Sequence, residues 1–228
     1  DVLVRQLPGV VASWDAPDKV RTALAGDLEA GFAKEGFQIV GWGDVGLVRQ
    51  MTKGFALRRP SDLRGHRPLV WRNEPIGPAI YGNMSGVVPV PLGVPEVLPA
   101  LRAGKIDVIN APALAAEQLQ WTPMLDHVSG TTSVCAVGGT VFRKAALDAL
   151  PADVRQTFDE IQKKMANATK NRIRKLDAQA YDRLKKRMKV VELSGADREE
   201  WKKVLVPAVK RLAGGTLDKT LVKRVLSI

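Results

Sequence analysis

The chain has 228 residues, 45% of them hydrophobic, and carries 35 Lys+Arg against 24 Asp+Glu for a formal charge of +11. That apolar share fills one large core or two small ones, which excludes a disordered polybasic tail as the main identity. No apolar run approaches the roughly 18 residues of a membrane span. The single cysteine, Cys135, cannot form an internal disulfide, and with only His66 and His127 beside it a structural zinc site is not expected. The sequence starts at Asp1 without a Met or a signal-like segment, which reads as a mature or trimmed product. Charge is uneven: residues 1–150 are close to neutral, at 15 basic and 14 acidic, whereas residues 151–228 hold 20 basic and 10 acidic. Any electrostatic argument about partners therefore concerns the last third.

In chain order, residues 1–8 are β-branched-rich and closed by Pro8, as a strand end is. Asp15-Ala-Pro-Asp18 supplies N-cap chemistry for a helix carrying Val20, Leu24, Leu28 and Phe32, which ends at Glu35-Gly36. Phe37-Gln-Ile-Val40 runs into Gly41 as a strand, and residues 41–60 show no regular pattern. A turn at Ser61-Asp62-Leu63, a strand at 68–71, a helix at 78–84 and an extended piece at 87–90 follow. Pro95 opens a helix ended by Gly104, and Ile106-Asp-Val-Ile109 reads as a buried strand. Short β-α-β connections predict α/β architecture with parallel strands. A small-residue strand at 133–142 leads to a helix near Lys144. Pro151-Ala-Asp153 then caps a helix of about 30 residues, roughly 45 Å long. Its apolar positions Val154, Phe158, Ile161, Met165 and Ala168 continue, after a phase slip, as Ile173, Leu176, Ala180 and Leu184. A short strand at 190–193 and a helix at 196–212 close the chain.

Gly41-Trp-Gly43-Asp-Val-Gly46 matches the dinucleotide fingerprint GxGxxG, but the stretch before Gly54 is too short for the required crossover helix, and Asp62 sits in a turn. A glycine-rich turn leaving a strand is the better account. His66 and His127 lie in polar turns outside any Ser/His/Asp or Cys/His arrangement, and the acids show no paired pattern, so no catalytic residue is assigned. Lys170, Arg172, Arg174, Lys175, Arg183, Lys185, Lys186 and Arg187 crowd the long helix and invite a nucleic-acid or anionic-membrane reading. They interleave with Asp177 and Asp182, and Tyr181 is the one aromatic among them, so a solvated helix face is favoured over a nucleic-acid partner. Trp42, Trp71 and Trp121 fall at strand ends or loops, and Trp71-Arg72-Asn73 has the makings of a ligand contact or of a loop plugged onto the core.

Four blocks in order resemble a known family. Arg59-Pro-Ser-Asp62-Leu-Arg-Gly65 resembles P-x-D-L-K-G, and Gly46-Leu-Val-Arg49-Gln-Met-Thr resembles G-x-R-x-x-T. Pro95-Glu96-Val97 with Ala100-Leu101-Arg-Ala-Gly104-Lys-Ile-Asp107, and Leu150-Pro151-Ala-Asp-Val, match two further segments. All are similar to the DctP-like substrate-binding proteins of TRAP transporters, solute-binding protein family 7. The resemblance spans essentially the whole chain but places Leu7-Pro8 after a β-α-β piece of lobe one that this sequence lacks. The family's principal carboxylate arginine falls on Leu69, its assisting asparagine on Ala111, and the aromatic before its E-V on Val94, which marks a variant branch.

The resemblance implies an α/β, two-lobe periplasmic-binding-protein-like fold with a long inter-lobe helix. Lobe one, incomplete, would hold 1–46 and 137–176, and lobe two 47–136 and 177–228. It implies a periplasmic protein that is not an enzyme and needs no cofactor. Such a protein captures a small, partly apolar organic ligand and hands it to membrane transporter subunits by hinge closure. Trp42, Arg49, Trp71, Arg72, Asn73, Asn110, Gln118 and Trp121 would line the cleft, Arg49 and Arg72 being its candidate anion contacts.

Overall fold

The computed structural model describes residues 3–4, 14–82 and 84–227, so the strand expected at 1–8 lies outside the described residues apart from Leu3 and Val4. Helix α1 (Asp15–Lys34) has Asp15 and Asp18 in its first turn and Lys34 in its last, matching its dipole. Its face of Val20, Leu24 and Leu28 is buried, and the chain turns out through Gly36 at φ +77°.

Strand β1 (Phe37–Thr52) runs straight through the stretch expected to be irregular. The glycines hid it, because they carry no strand propensity of their own. Gly41 allows close approach of a helix: a Cβ there would stand 2.9 Å from the Ala166 Cβ. No helix begins at Gly46, which removes the premise of a dinucleotide site, and Asp62 accepts from the amides of Arg58 and Arg59, closing its own turn.

The remaining strands are β2 (Leu69–Trp71), β3 (Val90–Leu92), β4 (Val108–Pro112), β5 (His127–Ser129), β6 (Val134–Arg143) and β7 (Lys189–Val191). Between them lie α2 (Ile76–Tyr81), α3 (Val94–Arg102), α4 (Ala113–Gln118), α5 (Lys144–Asp148), α6 (Ala152–Arg187), α7 (Gly195–Gly215) and α8 (Lys219–Leu226). Strand α-β alternation did not make every pair parallel. β1 is antiparallel to β4, β5 and β6, whereas β2 pairs with β3, and β5 with β7, in parallel. A parallel bridge from Pro68 to Val108 sets β2 beside β4. Six strands therefore run one way and β1 the other, which a pattern of local elements does not encode.

β1 has two lives. From Phe37 to Val48 it pairs with β6, with bulges at Ile39/Gly41 and Asp44/Gly46; from Val48 to Thr52 it joins β4, and at Met51 and Thr52 β5. Along 37–47 its other edge meets no strand among the described residues, nor does the outer edge of β6. The ribbon is covered by α1 and by the N-terminal half of α6. On that half Val154, Ile161 and Met165, expected to face a core, are 45–56% exposed. Ala180 and Leu184, on the other half, are fully buried where α6 packs on β1 and α4.

Helix α6 has 36 residues, about 54 Å. The C-terminal helices α7 and α8 close a core with α1 through Val209, Leu212, Val222 and Val225; α8 follows Gly214-Gly215 and was missed because its pattern spans only two turns. Ser194 and Asp197 form a capping box at the start of α7. The Arg59 guanidinium at 2.5 Å, helped by Ser194, holds the Asp197 carboxyl down at about 2. Its ordinary value is 3.8, so this stabilisation is complete above that pH and is lost as pH falls towards 2. Acid titration of Asp197→Asn is expected to lose that part of the pH slope; an unchanged slope between pH 4 and 2 would show the contact to be unimportant.

Candidate functional site

Because β1 opposes its neighbours, residues at the start of its second stretch sit beside the carboxyl ends of β4 and β5. Arg49 pairs with Ala111 of β4 and reaches the Gly130 carbonyl just past β5, at 3.0 Å. In open α/β sheets ligands bind outside these carboxyl ends. The Arg49 guanidinium lies 3.6 Å over the ring of Tyr181 from α6, whose hydroxyl points at the Ser129 carbonyl. Its acceptors are two main-chain carbonyls, and none of its nitrogens is buried without a partner, so the rest of its donor fork opens to solvent. Burial pulls the Arg49 pKa below its usual value, with Tyr181, Asp177 and Glu192 opposing. A half-buried cation backed by a ring and lacking a carboxylate partner is chemically an anion receptor.

The neighbouring positions on the same sheet face are apolar. Leu69 and Ala111, the positions where the resemblance puts an arginine and an asparagine, are buried in the main core with Met51 and Ile109. Trp71 and Trp121 come together on the same side, ring centroids 6.3 Å apart, with Trp121 only 2% exposed and Trp71 half-buried.

The other expected residues scatter. Asn110 pairs with Gln50, so its side chain takes the opposite sheet face from Arg49 and donates to the Tyr81 hydroxyl at 2.9 Å. Arg72 is exposed and donates through Nη2 to both carboxylate oxygens of Glu96 (2.6 and 2.8 Å), and Asn73 occupies an exposed left-handed turn at φ 65°. Gln118 is exposed at the end of α4. Trp42 lies on the α1 side of the ribbon, donating to Glu29 at 2.9 Å. Sequence reasoning missed Tyr181 as a site residue, along with Asp177 one turn before it. The i, i+4 spacing of Asp177 and Tyr181 on the long helix was the available signal.

Asp177 holds the geometry. Its buried carboxylate accepts from Leu47 N and Leu114 N, both at 3.0 Å, tying α6 to the turn of β1 and to the first turn of α4. Desolvation raises its pKa against those bonds. On the ribbon side, buried Asp44 accepts from Arg21 of α1 and from Arg174 of α6 (2.6 Å), while Arg174 also grips Asp18 at 2.6 and 2.8 Å. Three of the cations behind the nucleic-acid reading are thus engaged: Arg174 here, Arg183 with Glu117, and Lys185 with Asp182. His66 stacks on Phe55 and bonds Asp107, and His127 bonds Asp126, both in structural contacts. Among the described residues no group of His, Cys, Asp and Glu could hold a metal, and no helix is long and apolar enough to cross a membrane.

The family model described as bacterial extracellular solute-binding protein, family 7 (DctP) matches residues 11–214. The chain belongs to that family. Among curated relatives of this family 7 member, a solute-binding protein of Verminephrobacter eiseniae is 26% identical over 167 residues, 73% of this chain. The chain spans about half (49%) the length of that relative. Solved structures share the fold. DctP7 of Bordetella pertussis, a receptor binding pyroglutamic acid, superposes with TM-score 0.88 at 19% identity, over 99% of this chain and 74% of its own. A TRAP periplasmic solute-binding protein of Shewanella oneidensis with bound succinate gives 0.85 at 21%, with the same coverages. One from Ralstonia eutropha with bound (S)-2-acetolactate gives 0.87 at 18%, over 98% and 73%. The fold of this family 7 chain is therefore the mixed α/β fold of two-lobe TRAP receptors.

Proposed function

We propose that this family 7 chain is the ligand-capturing body of an extracytoplasmic receptor that delivers a small, partly apolar organic anion to a TRAP-type membrane transporter, without catalysis. The observation that carries this is Arg49, stacked on Tyr181 with unpaired donors at the strand ends, facing a wall in which Leu69 and Ala111 stand where charged or polar anchors are expected. One cation and an apolar wall suit a monocarboxylate better than a dicarboxylate, because a second carboxylate would be desolvated without a partner. Trp71 supplies the adjoining apolar area; Arg72, held by Glu96, is the outer cation, with Asn73 and Gln118 further out on the rim. The lobes divide at 1–46 with 137–176 against 47–136 with 177–228, and α6 and β1 cross between them. Among the described residues both outer edges of the β1–β6 ribbon are without a strand partner, which leaves lobe one the less complete of the two.

Calorimetry and tryptophan fluorescence against a panel of aliphatic and aromatic monocarboxylates test the reading. Binding of at least one, weakened about 10- to 100-fold by Arg49→Gln, is expected, as is typical for loss of a charge-assisted contact. Succinate and malate are expected to bind poorly. Micromolar succinate binding would overturn the apolar-ligand assignment, and no response to the panel would remove the receptor reading.

A further inference from the structure

Arg49 is one half of a charge pair around Gly130. Its Nη1 donates to the Gly130 carbonyl at 3.0 Å, and the carboxylate of Glu192 lies against the same residue, so close that a Cβ on Gly130 would overlap it. Gly130 follows β5 and Glu192 follows β7. The parallel pairing Ser129↔Val191 and the Gly130 N to Val191 O bond (3.0 Å) bring the two strand ends, and so the two charges, to one place.

Three carboxylates surround this corner, and two are engaged. Asp177 accepts from Leu47 N and Leu114 N, and Asp182 pairs with Lys185 at 2.8 Å. Glu192 is exposed, and its carboxylate has neither a hydrogen-bond nor an ion-pair partner among the described residues. Lys185, whose Nζ lies 5.2 Å from the Tyr181 centroid, is already taken by Asp182, so Arg49 is the cation left open beside it. An open guanidinium and an open carboxylate at one glycine are complementary to a ligand bearing both charges on groups attached to one carbon.

Resting on the receptor reading above, we infer that Glu192 is a specificity-determining residue: with Arg49 holding the carboxylate, it takes the ammonium of a zwitterionic, α-amino-acid-type ligand whose apolar side chain lies towards Leu69, Ala111 and Trp71. An acid without the amino group leaves Glu192 facing the ligand unpaired. The site then discriminates by chemistry as well as by fit, since an unmet charge next to a bound anion opposes binding.

L-phenylalanine and 3-phenylpropanoate differ only by the ammonium and provide the test. Titration calorimetry with the 228-residue chain is expected to show phenylalanine binding about tenfold or more tightly, and Glu192→Gln is expected to abolish that preference by weakening phenylalanine while leaving 3-phenylpropanoate as tight as before or tighter. Glu192 is exposed and its amide is isosteric, so the thermal melt of the variant serves as a control and should match the parent. If 3-phenylpropanoate binds as tightly as phenylalanine and Glu192→Gln treats both alike, the inference is wrong and the receptor reading stands. If neither these probes nor any monocarboxylate binds, both fail together.

Discussion

Replacing Asp44 with alanine is expected to destabilise the chain by about 3–5 kcal/mol, the range for breaking a buried ion pair by removing one partner. The Asp44 side chain is wholly inaccessible, and it is shared by Arg21 and Arg174, themselves 13% and 19% exposed. Without it two guanidinium groups lose their common acceptor. Arg21 is already under-satisfied, its Nε being buried without a partner. The comparison variant is Asp18→Ala, which touches the same two arginines but from a site 43% exposed, where water replaces the lost oxygen; about 1 kcal/mol or less is expected. Urea denaturation measures both. Equal effects would mean that the network is an ordinary surface cluster and that α1, β1 and α6 are joined by apolar contacts alone. Arg174 also lies 4.3 Å over the Trp14 ring, so Asp44→Ala should alter tryptophan emission.

The second large effect is expected at Gly46, at the bulge in β1 two residues before it begins to pair with β4. Its φ is +145°, and an added Cβ would stand 2.5 Å from the Pro112 Cβ and 2.9 Å from the Asp177 carboxylate. Strain and overlap together predict a loss of roughly 2–6 kcal/mol for Gly46→Ala. The overlap would push Asp177 off the amides it caps and shift Arg49, three residues on, so ligand binding should fall more than stability alone explains. Gly26 provides the opposite case. It lies inside α1 with nothing within 4 Å, and Gly26→Ala should stabilise by about 0.5–1 kcal/mol. A Gly46→Ala protein as stable as the parent would show that the close passage of α6 and α4 over β1 is wrong.

Both sites explain why the glycine-rich run read ambiguously. In Gly41-Trp-Gly43-Asp-Val-Gly46 the glycines give no periodicity, so the sequence pointed to a turn. What they provide is clearance: Ala166 over Gly41, Pro112 and Asp177 over Gly46. Clearance depends on what arrives from elsewhere in the chain, here residues more than sixty positions away. The same limit applies to the site. Arg49 was legible because its block resembles G-x-R-x-x-T. Tyr181 and Glu192 carry no motif and become partners only when α6 crosses β1 and β7 pairs with β5. Asn110 was legible as a polar residue on a strand, but the register that sends it to the Tyr81 side was not.

The uneven charge, too, acquires its meaning in three dimensions. Sequence alone determined the family, most of the helices, the start and unusual length of α6 though six residues short of its 36, and the substitution of Leu69 and Ala111 for polar anchors, because these rest on local periodicity, capping and short motifs. The antiparallel course of β1, the pairing of the basic helix with Asp18, Asp44 and Glu117, and the meeting of Arg49, Tyr181 and Glu192 at Gly130 were decided by tertiary structure. These depend on strand register and on contacts between distant segments, and no window of neighbouring residues contains that information.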